Sequence, residues 1–301
     1  MQDVSSEAVD LPDAGAGAPA VGLLAGGGGF PFHVARRMRE QGYRVVCAAV
    51  RHQASGELAA CCDRFRFFGV GRLGAALRFF RRHGVTEVSW AGWIRKEEIF
   101  KPWRLLSILP DWRLIRLFFF RLPDRQSQTI LAALADEFAR EGIAVSHSAK
   151  FCPELLAEEG VLTRRKPSAK QLADVAFGWN VCRRLADLDV GQSVAVCERS
   201  TIAAEGLEGT DRSILRAGEL YPRGGFVVVK LAKEGHDMRF DVPAVGPRTI
   251  ESMRAAGGAV LAIEAGRTLI LEREAFLELA NRHGIVVVAL GDAPSPQGTT
   301  G

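Results

Sequence analysis

Along the 301-residue chain, short apolar runs alternate with segments whose apolar positions recur every three to four residues, the pattern of strands interleaved with helices. Val21 to Ala25 is predicted as a short buried strand that enters Gly26-Gly27-Gly28-Gly29-Phe30-Pro31 and then a helical stretch from His33 to Gln41. Tyr43 to Val50 and Phe65 to Phe68 read as strands, Leu73 to His83 as a helix, and Val85 to Gly92 as a strand ending in glycine. A helix from Gln126 to Glu141, with Ile130, Leu131, Leu134 and Phe138 on one face, leads to a strand at Ile143 to Val145.

The second half repeats the alternation. A long helix from Gln171 to Asp187 precedes strands at Ser193 to Glu198 and Thr201 to Glu205, an acidic turn, and a strand running from Phe226 to Lys233. A helix beginning near Pro247, strands at Val260 to Glu264 and Thr268 to Leu271, a helix from Glu274 to His283 and a strand at Ile285 to Leu290 close it. The fold class is therefore α/β in two domains: an N-terminal Rossmann-like doubly wound sheet over residues 21–150 and a C-terminal α/β domain over residues 151–290. Residues 1–20 and 291–301 are expected to be disordered tails.

Strand, glycine loop and helix in succession is a nucleotide-binding arrangement, in which small residues let backbone N–H groups approach a phosphate at a helix N-terminus. Gly26, Gly27, Gly28, Gly29, Phe30 and Pro31 are the candidates for that loop, with Gly92 and Trp93 expected at the same crevice and Trp93 available to stack on a base. A dinucleotide fingerprint is poorly matched, since its third glycine falls on Pro31, and the second strand ends at Arg51-His52 rather than at an acidic residue.

The densest candidate chemistry lies later. Glu205, Glu208 and Asp211 fall within one turn, around Thr210, and clustered carboxylates repel unless a divalent cation or a cationic partner relieves them. The alternative is that Thr210 or Asp211 caps the helix that follows. Downstream, Lys230 and Lys233 lie on a predicted strand that leads into Asp237-Met238-Arg239-Phe240-Asp241, so cations and carboxylates converge on neighbouring strand ends.

Composition adds few constraints. Hydrophobic residues at 48% and charged residues at 25% match a globular protein, and a net charge of +4 favours anionic ligands or a membrane surface over nucleic acid, which wants a denser basic stripe. Six scattered cysteines with no Cys-x-x-Cys pair, and no signal peptide or membrane span, lead to the expectation of a reduced, cytoplasmic protein. Between Ile99 and Arg125, Trp103, Trp112 and Phe118 to Phe120 interleave with Lys101, Arg104, Arg113, Arg116 and Arg121. That alternation suits an element at a lipid interface, with burial of the aromatics between domains as the competing reading.

Several stretches resemble the LpxI family of UDP-2,3-diacylglucosamine pyrophosphatases of lipid A biosynthesis. They are Gly22 to Gly28 with Pro31, Trp90-Ala91-Gly92, Asp136-Glu137-Phe138, Asp189 to Gln192, Ala204 to Asp211, Lys230 to Lys233, Asp237 to Pro243, and Glu264-Ala265-Gly266. Where the family commonly carries paired Asp before Asp136, this chain has Ser127-Gln128. The resemblance implies hydrolysis of UDP-2,3-diacylglucosamine to UMP and lipid X, dependent on Mg²⁺ with Mn²⁺ as the alternative, with a UDP-binding first domain and a second domain for the acylated sugar. The family's essential Asp falls on Asp211, with Thr210 and Glu208 beside it as catalytic candidates, and Asp211, Glu208 and Glu205 as candidate metal ligands. Lys230, Lys233, Asp237, Arg239 and Asp241 are candidates for substrate binding. The expected partners are the lipid-nucleotide substrate and, peripherally, the inner-membrane surface, with homodimerisation left open. Two rivals compete: a non-catalytic or redox dinucleotide-binding protein, and a lipid-surface binding module without turnover.

Overall fold

A computed structural model describes residues 9–10, 17–94, 110–120, 122, 127–233, 239 and 242–294. The chain divides into two compact units, residues 1–152 with 238–240, and residues 153–237 with 241–301.

The first unit is a doubly wound sheet. Strand β2 (Ala20–Ala25) lies at its centre, parallel to β3 (Arg44–Val50) on one side and to β5 (Glu87–Ala91) on the other. Strands β4 (Arg64–Phe68) and β6 (Ala144–Ser146) extend the two wings in parallel, giving the order β4-β3-β2-β5-β6. The chain reverses its winding between β2 and β5, and it is outside the carboxyl ends of such strands that ligands bind. Val9–Asp10, in the stretch expected to be a disordered tail, forms β1 and pairs antiparallel with β4 at Phe65 and Arg64.

Helices α1 (Phe30–Glu40), α2 (Leu73–Arg82), α3 (Trp112–Phe120) and α4 (Ser127–Arg140) complete this unit. One core sits between α2, α4 and the sheet, where Leu77, Phe80, Val88, Phe138 and Ile143 are buried together. Asp111 ties α3 to α2: its carboxylate accepts from the N–H of Gly74 at 2.5 Å and of Leu114 at 3.1 Å.

In the second unit the sheet runs β7 (Gly160–Val161), β14 (Val286–Leu290), β12 (Val260–Glu264), β10 (Val227–Lys230), β8 (Ser193–Cys197), β9 (Ser200–Ala204). The three central strands β14, β12 and β10 are parallel, and the hairpin β8-β9 adds on antiparallel. A separate parallel pair joins β11 (Ala244–Val245) to β13 (Leu269–Ile270). Helix α5 (Ala169–Asp187) starts at a reciprocal cap, Ser168 Oγ accepting from Gln171 N and Gln171 Oε1 accepting from Ser168 N. It covers one face of the sheet through Val175, Trp179 and Cys182. Helices α6 (Thr210–Leu220), α7 (Pro247–Ala256) and α8 (Arg273–His283) cover the other through Ile214, Ile250 and Phe276.

The β8-β9 hairpin turns at Glu198 and Arg199, both at positive φ (52° and 55°), a conformation that favours Gly or Asn. The buried Asp174 of α5 holds it there, accepting from Arg199 N at 2.7 Å and Glu198 N at 3.1 Å. The turn in this way helps to set the register that brings Ser193 opposite Glu205, whose N–H donates to the Ser193 carbonyl at 2.9 Å.

Candidate active site

At the first crevice the glycine loop and the end of β5 pair with each other. Gly26 N donates to Ala91 O at 2.8 Å and Gly27 N to Trp93 O at 2.8 Å, while Trp93 N returns a bond to Gly27 O at 3.2 Å. The Trp93 indole lies on the loop so closely that a Cβ on Gly27 would come within 2.7 Å of its ring, and one on Gly28, at φ +91°, within 2.9 Å of Nε1. Two N–H groups that sequence reasoning offered to a phosphate are therefore spent within the protein. The glycines answer first to backbone approach and to the indole. Gly28 and Gly29 lead into α1, whose cap is Gly29, and Phe30 and Pro31 are buried in its first turn. Gly92, at φ +89°, leaves no room for a side chain, since a Cβ there would fall 2.5 Å from Gly27 O and 2.9 Å from the Pro31 ring. The expected crevice of Gly26 to Pro31, Gly92 and Trp93 is thus one continuous structure.

The second unit gathers charge at one edge of its sheet. Along β10, Val227 and Val229 face α5 while Val228 faces α6 and α7, and alternation puts Lys230 on the Val228 face. Lys230 pairs with Ser193 across the ladder as Val228 pairs with Ala195, and Glu205 continues the row beyond Ser193. A lysine, a serine and a glutamate thus end what is otherwise an apolar face, and all three are buried. Burying an ammonium and a carboxylate is tolerable only when both are hydrogen-bonded. Lys230 Nζ donates to Thr210 Oγ1 at 3.0 Å and to Ala244 O at 2.8 Å, and Glu205 Oε2 accepts from Ser193 Oγ at 2.7 Å and Thr210 Oγ1 at 3.1 Å.

Above that row, α6 and α7 run side by side with their N-termini together. At the far end a Cβ on Gly218 would fall 2.6 Å from the Ala256 Cα, so only glycine lets α6 approach α7 this closely. At the near end Asp211 Oδ2 pairs with Arg248 Nε at 3.2 Å. The two helices begin at Gly209 and Gly246, cap residues without a side chain to accept from the first turn; in α7, Thr249 Oγ1 accepts from Gly246 N at 3.5 Å and Pro247 offers no N–H. The capping role open to Thr210 and Asp211 is accordingly not the one they play. They are the first two residues inside α6, with Gly209 as the cap.

The expected grouping of Glu205, Glu208 and Asp211 does not form. Among the described residues no three His, Cys, Asp or Glu side chains gather to hold a metal. Glu205 is buried under Thr210. Glu208 braces its own turn, accepting from Gly206 N at 3.1 Å and from Arg216 Nη2 at 2.6 Å. Partial burial pushes its carboxyl up, but hydrogen bonds from backbone N–H groups and from Arg216 outweigh that and hold it below the usual carboxylate range. Asp211 keeps 32% of its side chain exposed, and its partner Arg248 is 78% exposed, an ion pair that yields easily to a ligand.

Lys233 lies one turn of chain beyond Lys230 and is neutralised by Asp189. The end of β10 is clamped at the same place: Glu264 Oε2 accepts from Ala232 N at 2.8 Å, and its other oxygen takes Arg183 at 3.2 Å and Arg267 at 3.0 Å. Arg239 is exposed and counts with the first unit. Asp237 and Asp241 lie outside the described residues. Ser193 escaped sequence reasoning, although its parity with Ala195 marks it as a polar group at a core position. The six cysteines are free, and burial pushes the Cys182 thiol up to about 12 and Cys47 well above its ordinary value, so neither offers a thiolate nucleophile.

Two family models match the chain, the LpxI N-terminal domain over residues 20–155 and the LpxI C-terminal domain over residues 158–288. The UDP-2,3-diacylglucosamine pyrophosphatase LpxI of Caulobacter vibrioides is 28% identical over 287 residues, spanning 92% of this chain and 99% of that protein.

Proposed function

The chain belongs to the LpxI family, and from that premise we propose that it hydrolyses the pyrophosphate bond of UDP-2,3-diacylglucosamine to UMP and 2,3-diacylglucosamine 1-phosphate. The observation that carries this reading is the convergence of the N-termini of α6 and α7 on the Asp211–Arg248 pair, with the buried Lys230 beneath them. Oriented N–H groups and an ammonium suit a diphosphate, whose hydrolysis needs positioning and charge neutralisation rather than covalent help.

In that reaction the phosphate oxygens sit against the first turns of α6 and α7, with Lys230 as a fixed cation and Arg248 swinging from Asp211 to the substrate. Water adds to one phosphorus, the bridging P–O bond breaks, and the oxygen of the bridge leaves on the other product. Asp211, released from Arg248, orients that water. A cage of three carboxylates does not fit these residues, whereas Mg²⁺ carried largely by phosphates asks for only one or two, and Asp211 is the residue that would hold it. When bound, the ion neutralises phosphate charge and makes a coordinated water more acidic.

The membrane partner is proposed for α3. Its Leu117 is buried, whereas Trp112, Phe119 and Phe120 are 70%, 75% and 76% exposed, which favours an anionic bilayer as their neighbour over burial in the protein. Arg116 is exposed beside them, and Arg113 is held by Glu141. Lys101, Trp103, Arg104 and Arg121 of the same predicted interface lie outside the described residues. No helix among the described residues is long and apolar enough to cross a membrane.

The test is release of UMP from UDP-2,3-diacylglucosamine by the purified protein, before and after exhaustive chelation and on readdition of Mg²⁺ or Mn²⁺. Release that stops in chelator and returns with either ion is expected. No release with any ion would remove the enzyme reading, and full release after chelation would remove the metal from it.

A further inference from the structure

Glu205 is a buried carboxylate whose hydrogen-bond partners among the described residues are two hydroxyls, and it stands one hydroxyl away from a buried ammonium. Proton counting fixes the direction of that chain. An ammonium has donors only, so Thr210 Oγ1 must accept from Lys230, and its single proton must then go to Glu205. Ser193 donates to the same carboxylate oxygen at 2.7 Å. The order is Lys230 to Thr210 to Glu205, with Ser193 holding Glu205 from behind.

The consequence falls on Lys230. Two of its three N–H groups are committed, to Thr210 and to the Ala244 carbonyl, and its Cα is fixed within the sheet. With two bonds of a tetrahedral nitrogen set, the direction of the third is set as well. Thr210 is the first residue of α6, next to Asp211, so the nitrogen is anchored at the turn that the substrate's diphosphate would meet.

We propose that Glu205 and Ser193 are positioning residues that act through Thr210 to aim the remaining N–H of Lys230 at a phosphate oxygen of the substrate. This rests on the reaction proposed above, and it gives Glu205 a task other than metal ligation. A flexible surface lysine would lose rotamer entropy on binding, whereas here that cost is met in folding.

The test compares Thr210→Val, Thr210→Ser, Glu205→Gln and Ser193→Ala, each checked for parent-like circular dichroism and melting temperature. A hydrogen bond to a charged group carries about 1.5–3 kcal/mol, so Thr210→Val should lower kcat/KM by about 10- to 150-fold. Thr210→Ser should restore it to within a few-fold, and Glu205→Gln and Ser193→Ala should fall between. In a Lys230→Met background the Thr210→Val and Glu205→Gln losses should shrink to less than about twofold, because residues acting through one group are not additive. Calorimetric binding of inorganic diphosphate is measured beside turnover. If the parent releases UMP and Thr210→Val matches Thr210→Ser, or if the losses multiply in the Lys230→Met background, the positioning role is overturned while the reaction stands. If the parent binds diphosphate, Thr210→Val weakens that binding and Thr210→Ser does not, but no UMP is released, the positioning role stands and the reaction falls.

Discussion

The candidate regions of the two units are built in opposite ways. The crevice of the first is made of backbone: Gly26 and Gly27 give their N–H groups to Ala91 and Trp93, and an indole rather than a charge lies on the loop. The edge of the second is made of side chains, with Lys230 and Glu205 buried in one hydrogen-bonded row under Asp211. A backbone crevice recognises shape and tolerates small losses. A buried charged row is less forgiving, since removing one member leaves its neighbours short of a partner that water does not replace. Binding is therefore expected to fail by degrees in the first unit and turnover to fail sharply in the second.

The sharpest break should come at Asp211. Asp211→Ala is expected to lower kcat by about 1,000-fold or more, the range for loss of a group that acts mainly in the transition state, while UMP binding by calorimetry stays near the parent's. Near-normal turnover in this variant would take Asp211 out of the mechanism and leave the comparison without its second term.

The counterpart in the first unit is Gly27→Ala. Its new methyl would sit 2.7 Å from the Trp93 ring, so the indole must move or the loop must open. A melting temperature lower by about 2–8 °C is expected, from about 1–2 kcal/mol of strain. KM for the nucleotide substrate should rise about 10-fold with kcat within a few-fold of the parent. A fall in kcat with unchanged KM would mean that the first unit takes part in the chemical step and does not serve binding alone.

The legibility of the two regions also differs, for a physical reason. Apolar runs and glycine punctuation are local, so β2, β3, β5 and the loop after Ala25 could be placed from the chain alone. What the loop does was less visible, because the partner that consumes its N–H groups lies more than sixty residues on, at Trp93. In the second unit Asp211 and Lys230 stood out by type. The spacing of Glu205, Glu208 and Asp211 nevertheless suggested a shared ion, because chain proximity says nothing about which way each side chain turns. Glu208 turns back to Gly206 and Arg216, and Glu205 turns inward to Ser193 and Thr210. Ser193 could have been found from its parity with Ala195 on β8, a polar residue at a position that faces the core.

A smaller effect is expected at the bilayer. Liposomes of rising anionic content should retain the parent at low salt and release it at high salt, each exposed arginine near an anionic surface contributing roughly 1 kcal/mol. Trp112→Ala with Phe119→Ala should weaken retention several-fold without touching turnover of a detergent-dispersed substrate. Retention that is unchanged in the double variant would leave α3 without a lipid role.

The smallest effect compares one carboxylate from each unit. Glu141, held by Arg113 and Arg81, and Glu208, held by backbone N–H groups and Arg216 against its burial, both titrate below the ordinary carboxylate range in the folded protein. A depressed folded pKa means that the unfolded chain takes up the proton first. Each group therefore stabilises the fold at pH values above its unfolded pKa, about 4.3, and that contribution drains away as pH falls through the folded value. Neutral replacements at these positions should flatten the acid limb of stability and change little once the pH lies below the folded values. At pH 7, Glu208→Gln and Glu141→Gln should each lower the melting temperature by no more than about 1–3 °C, as partly exposed ion pairs are worth about 0–1 kcal/mol. The two should add in the double variant, since they belong to separate units and share no partner. A single variant that shifts the acid limb by as much as both together would mean that the two units melt as one through these groups, and the contrast between a forgiving region and an unforgiving one would have to be redrawn.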